Sequence, residues 1–150
     1  DFKYYLTADT GSGGFPIVFS DTDVVVRDVD CDAIGYMANG SGAGNIFFRN
    51  GSTKTESSQE TLSTSTQYWC RLERVSTTEA KFYAWTDSYD GTLVSGFPIT
   101  QSSLLSGVVD LKYIHHGTCG TVASGNMTWT VDDLTVTSGE NTWVERGTAI

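Results

Sequence analysis

An all-β fold, an antiparallel β-sandwich or jelly roll, is what this sequence predicts, and three observations carry the prediction. The stretch from Gln67 to Asp87 holds two runs rich in aromatic and β-branched residues, each alternating with period two, around a short polar turn. Roughly ten such short runs, separated by Gly, Asn, Asp and Ser clusters, follow one another along the chain. No segment of the 150 residues carries the 3.6-residue apolar period of a helix. No fixed-period repeat is present, so a propeller or solenoid is not expected.

The Gln67–Asp87 stretch reads as a long central hairpin. Tyr68, Cys70 and Leu72 share one face of its first strand, and Trp69, Arg71 and Glu73 share the other. On the return strand Phe82 and Ala84 separate from Tyr83 and Trp85. One set is plain core. The other mixes large aromatics with a cation and an anion, which suits a polar-lined groove or a half-wet sheet face.

The remaining elements follow in order. Phe2 to Ala8 is a strand in which Phe2, Tyr4 and Leu6 alternate with Lys3, Tyr5 and Thr7, and Asp9 to Gly14 is a turn by composition. Phe15 to Ser20 is a second strand, with Pro16 at its start or on an edge because proline lacks a ladder donor. A short strand at Val24 to Arg27 lies between acidic loops. Ala33 to Ala38 and Asn45 to Arg49 are strands, the second ending in the hairpin signal Asn50-Gly51. Ser52 to Thr66 is polar, a loop with at most one weak strand. After the hairpin come short pieces at Thr92 to Val94 and Phe97 to Thr100, then one helical turn around Leu104 and Leu105. Val108 to His116 is a strand, Gly117 to Gly125 a loop, and Asn126 to Thr137 the last long strand. Its alternation changes phase at Asp132-Asp133, which predicts a β-bulge there.

One domain is expected at this length, with core enough to fold without staples. The domain spans 1–137, and 138–150 forms a tail or linker whose Trp143 and Val144 need a cover. A chain that starts at Asp1 and enters a strand at once reads as a domain cut from a longer protein. The net charge of −9 argues against nucleic acid and anionic membranes, and no run is long enough to span a bilayer. Three cysteines, Cys31, Cys70 and Cys119, cannot all pair within the chain. They read as buried small hydrophobes, with a Cys31–Cys119 disulfide as the alternative. Sequons occur at Asn39, Asn50 and Asn126, a pattern common by chance in a Ser/Thr-rich chain.

Tyr68, Arg71, Glu73 and Arg74, then Phe82 to Trp85, then Asp87-Ser88, form a Y-x-x-R-x-E-R strand, polar turn, partner strand and D-S turn. This resembles the concanavalin A-like lectin/glucanase jelly rolls, in particular their laminin G-like branch. The last strand, T-V-D-D-L-T-V from Thr130 to Val136, is similar to the closing strand of that superfamily. The likeness covers about half of the chain. It implies a sandwich of a kind found in lectins, carbohydrate-binding modules, glycosidases, lyases and viral surface proteins, so fold alone leaves function open.

The chemistry narrows that range. A glycosidase needs two carboxylates across the scissile bond. The E-x-D-x-x-E strand of the laminarinase-like members is absent, and Glu73 is flanked by Arg71 and Arg74. A lyase base near Tyr113 and His115 would lack Lys112, which alternation sends to the opposite face. No Ser/His/Asp set, nucleophile elbow or phosphate loop is present, so no enzyme is expected. Asp28, Asp30 and Asp32 alternate in D-V-D-C-D and read either as a solvated acidic patch or as a calcium contact; the glycine and distal glutamate of an EF-hand are missing. Asp132 and Asp133 are a second candidate for a structural Ca2+, by analogy with carbohydrate-binding sandwiches.

Sugar sites on sheets use aromatic faces to cover a pyranose, with polar groups beside them for the hydroxyls. Trp69, Arg71, Glu73, Tyr83 and Trp85 form such a set on one face; the plain alternative is that these rings are core. Tyr36 and Tyr89 are weaker loop aromatics. The expectation is therefore a non-catalytic carbohydrate-binding module that binds a glycan or polysaccharide. It would belong to a larger extracellular, cell-surface or virion-associated protein. The alternative is a structural subunit of a filament, tail or capsid that self-assembles through its terminal segments.

Overall fold

The computed structural model describes residues 1–7, 13–23, 31–39, 41–76, 78–102, 108, 111–119, 128–136 and 144–146. The described residues form twelve strands and no helix: β1 (Phe2–Thr7), β2 (Gly13–Ser20), β3 (Ala33–Asn39), β4 (Ala43–Asn50), β5 (Thr53–Glu56), β6 (Glu60–Thr61), β7 (Gln67–Arg74), β8 (Ala80–Trp85), β9 (Ile99–Gln101), β10 (Tyr113–Cys119), β11 (Thr128–Asp132) and β12 (Val144–Arg146). One sheet has the order β11-β1-β7-β8-β9. The other runs β12-β10-β2-β3-β4-β5, with β6 also on β4. Neighbours are antiparallel except β12, which lies parallel to β10 at the edge. The two sheets face each other across one core, as the predicted β-sandwich requires.

Period two builds that core. Phe2, Tyr4 and Leu6 of β1, Tyr68 and Cys70 of β7, and Phe82 and Ala84 of β8 are buried in one cluster with Ile17, Ile34, Tyr36, Ile46, Phe48 and Ile114 of the facing sheet. Phe82 and Tyr36 bridge the layers, their rings stacked at 3.8 Å and 1°. Burial raises the Tyr36 hydroxyl and the Cys70 thiol well above their usual ranges, so both stay neutral. A second cluster, Val18, Cys31, Ala33 and Phe47, lies on the other side of the β2-β3-β4 sheet. These strands are buried on both sides, which explains continuous apolar runs such as Ile46-Phe47-Phe48.

Pro16 departs from its expected place at a strand start or on an edge. It sits within β2, between β3 and β10, where β2 carries one residue more than either neighbour. The missing donor is absorbed by a bulge instead of an edge. The bulge expected at Asp132-Asp133 is present. Lys3 pairs with Asp132, yet Asp1 exchanges backbone hydrogen bonds with Thr135, so one residue is extra on that side. Asp133 takes it up at φ 54°, and Val131, Leu134 and Val136 all pack on the same core despite their different parity.

Other boundaries shift. Asn50 closes the β4–β5 hairpin opposite Thr53, and Gly51, at φ 54°, opens its two-residue turn. The polar stretch after it contains two short strands instead of one. Thr92 to Val94 contributes a single bridge, Leu93 to Trp85. β10 begins at Tyr113 and runs to Cys119, into the expected loop. Val144–Arg146, within the stretch expected as a tail, pairs with β10. The strand at Val24 to Arg27, the turn at Leu104 and Leu105, and Trp143 lie outside the described residues.

Candidate functional site

The core face of β1, β7 and β8 takes their even-numbered residues, so the odd-numbered ones point outward. Strand register arranges them in rows. Lys3 lies beside Trp69, Trp69 beside Trp85, and Trp85 beside Leu93. Tyr5 lies beside Gln67, Arg71 beside Tyr83, and Glu73 beside Lys81. The hairpin thus brings together all five residues that the sequence assigned to a sugar site, on one outward face.

Their environments differ. Trp85 is only 4% exposed. The Tyr83 ring stacks on it at 5.3 Å and 6°, the Tyr89 ring meets it edge-on at 6.5 Å, and the Arg71 guanidinium lies 5.3 Å from its centroid. Trp69 and Tyr83 are half-buried, Glu73 is exposed, and Tyr5 is 36% exposed. Trp85 therefore supports the surface, and Trp69, Tyr83 and Tyr5 supply its aromatic area. Tyr36, the other alternative, is a fully buried residue of β3 and belongs to the core.

Arg71 is held from two sides, and not by Glu73. Its Nε and Nη2 donate to the Asp1 carboxylate at 2.6 and 3.2 Å, and its Nη1 and Nη2 donate to the Asp90 carboxylate at 3.0 and 3.2 Å. Both contacts are forked, the geometry in which guanidinium and carboxylate bind best. Glu73 instead serves the Tyr83 hydroxyl. Burial first, then the Glu73 charge and hydrogen bond, raise the Tyr83 hydroxyl above its usual value.

The segment that seats Tyr89 and Asp90 is organised by Asp87. Its Oδ1 accepts from the backbone N–H of Ser88 and Thr92, each at 2.8 Å, and its Oδ2 accepts from the Thr92 hydroxyl at 2.8 Å. The Thr92 backbone bond foremost, then its hydroxyl, hold the Asp87 carboxyl below the usual carboxylate range. A carboxyl lowered in the folded state stabilises fully above its ordinary value and loses that contribution as pH falls through the folded value. Acidification below about pH 4 is therefore expected to loosen this segment and open Trp85 to acrylamide quenching. Asp87→Ala should open it already at neutral pH. The Trp85→Phe variant identifies its share of the fluorescence, and quenching that is unchanged in Asp87→Ala contradicts the assignment.

The metal candidates separate. Asp28 and Asp30 lie outside the described residues. Asp132 and Asp133 are both exposed. Asp133 forms an ion pair with Lys3, and Asp132 Oδ1 accepts the Asp133 backbone N–H at 2.9 Å. A cation would have to displace the ammonium group of Lys3. Among the described residues no group of three or more His, Cys, Asp or Glu is placed to hold a metal ion. Cys31 and Cys70 are buried; the side chain of Cys119, its proposed partner for Cys31, lies outside the described residues. His115 Nε2 lies 2.9 Å from the Ser20 hydroxyl and 2.8 Å from the Thr22 carbonyl, contacts that tie β10 to the end of β2.

Sequence reasoning missed Tyr5, Asp1 and Asp90. Parity with Phe2, Tyr4 and Leu6 already sent Tyr5 to the outward face. Only the pairing of β1 with β7 reveals that this face is continuous with that of the hairpin. Asp1 and Asp90 carried no local signal, being 70 and 19 residues from Arg71.

The architecture defines the protein as an all-β sandwich with a mixed aromatic and charged outer face. No protein-family model matches the chain, and comparison with curated proteins finds no match. Among solved structures it is similar to the crystal structure of scytalido-glutamic peptidase with a transition state analog inhibitor, at 14% identity and a TM-score of 0.33. The match covers 89% of this chain and 59% of that one, so the chain spans well under two thirds of that neighbour. At this level the likeness carries no inference about activity or substrate.

Proposed function

We propose that this protein is a non-catalytic carbohydrate-binding module of a larger extracellular or virion-associated protein, and that Trp69 and Tyr83 receive the sugar. The observation that carries this reading is the support of the Tyr83 ring. Tyr83 is stacked on the covered Trp85 at 5.3 Å, Trp69 stands beside Trp85 in the register, and Arg71 is held between two carboxylates. Rings fixed before binding lose little freedom on contact, which favours recognition of a flat apolar sugar face. Gln67 and Glu73, both exposed in neighbouring rows, can meet hydroxyl groups.

A glycan array tests the reading. The wild-type protein is expected to bind at least one neutral glycan, and Trp69→Ala to weaken that binding about tenfold or more with unchanged circular dichroism. Absence of binding to every glycan defeats the proposal. The second reading, a structural subunit assembling through its terminal segments, draws on β12, a three-residue strand at a sheet edge. It predicts concentration-dependent polymers in sedimentation, and a strictly monomeric species at high concentration rejects it.

A further inference from the structure

The half-exposed rings are arranged in a line. Tyr5 on β1 faces Gln67, Trp69 on β7 is two residues beyond Gln67, and Tyr83 on β8 faces Arg71, two residues further again. Each step therefore crosses one strand and advances two residues in the same direction along β7. Diagonal neighbours of this kind stand about 7–8 Å apart, so the three residues mark a straight oblique stripe roughly 15 Å long. That length exceeds what one sugar ring can cover.

The charges on the same face are closed among themselves. Lys3 pairs with Asp133, Arg71 with Asp1 and Asp90, and Lys81 with Glu79 at 3.1 Å. Each of these three cations already has a carboxylate, and the chain carries a net charge of −9. An anionic polymer would meet repulsion, with no unpaired cation among the described residues of β1, β7 and β8 on this face to offset it. A neutral one would meet aromatic area and hydrogen-bonding groups.

We propose that the ligand is an extended neutral polysaccharide lying obliquely across β1, β7 and β8, with Tyr5, Trp69 and Tyr83 as successive contact points. The inference rests on the carbohydrate-binding reading and adds to it a ligand class, a direction and the residue Tyr5. Tyr5 is at the end of the stripe and on the outward face, so its replacement leaves the core untouched.

The test is affinity electrophoresis in gels containing hydroxyethylcellulose, galactomannan, xylan or laminarin, and in parallel gels containing polygalacturonate or alginate. The neutral polymers are to be compared, by calorimetry, with their own monosaccharides and with oligomers of increasing length. Retardation by at least one neutral polymer and none by the acidic pair is expected. Affinity should rise with oligomer length until the stripe is covered. Tyr5→Thr, which keeps a strand-favouring residue, should weaken polymer binding about tenfold, while Tyr5→Phe binds like the wild type. Monosaccharide binding as tight as polymer binding, preference for the acidic polymers, or a Tyr5→Thr variant of full affinity overturns this inference, even where Trp69→Ala still abolishes binding. Failure of every glycan, neutral and acidic, removes the carbohydrate-binding reading itself and this inference with it.

Discussion

Phe82→Ala is expected to lower the stability of the fold by about 4 kcal/mol, the range for removing a buried aromatic ring. Phe82 is fully buried, stacks on Tyr36 of the facing sheet at 3.8 Å, and stands 6.1 Å from both Phe2 and Phe97. It therefore joins β8, β1 and the approach to β9 with β3 across the sandwich. Truncation removes apolar contact from both layers at once and leaves a cavity that rigid strands cannot collapse to fill. Thermal unfolding should show a midpoint lower by roughly 10 °C. Urea denaturation should show a lower midpoint with an unchanged slope. A loss below about 1 kcal/mol would mean that Phe82 does not bridge the sheets. Phe82→Leu, which keeps most of the volume, should recover much of the difference.

Gly44→Ala is the second large effect, and it acts through the same pair of rings. A β-carbon at Gly44 would stand 2.2 Å from the Tyr36 hydroxyl oxygen, 2.5 Å from the ring carbon bearing it and 2.8 Å from the Met37 carbonyl. Tyr36 lies over β4 because Gly44 offers no side chain there. One methyl group must move a fully buried ring or a strand backbone, and overpacking of that kind costs about 3 kcal/mol. Displacing Tyr36 also disturbs its stack with Phe82. The effects of Gly44→Ala and Phe82→Ala should accordingly be less than additive in a double-mutant cycle on thermal unfolding. Strict additivity would show that the glycine and the ring pair act independently. The face proposed to bind carbohydrate is on the opposite side of β8. Gly44→Ala should therefore leave glycan affinity unchanged below its melting range.

The local pattern was enough for the hairpin and for the division of its two faces. Tyr68, Cys70, Phe82 and Ala84 point inward and Trp69, Arg71, Glu73, Tyr83 and Trp85 outward because neighbouring side chains on a strand oppose one another. The phase change at Asp132-Asp133 was likewise readable, since an extra residue shows directly in the alternation. The sequence placed Pro16 at a strand start or an edge and not within a strand, because the bulge that accommodates it depends on both neighbouring strands. The start of β10 was misread because Val108 is buried without belonging to a ladder.

The strand period, the two-layered architecture and the facing of the aromatic residues on β1, β7 and β8 are legible in the chain alone, because they follow from neighbours one or two positions apart. The assembled sheets, not the local pattern, cover Trp85 while leaving Trp69 and Tyr83 partly open, clamp Arg71 between Asp1 and Asp90, and bring Tyr5 into line with the other rings. Those outcomes depend on which strand lies beside which and where the Asp87 turn closes, and contacts across 19 or 70 residues leave no periodic trace in the chain.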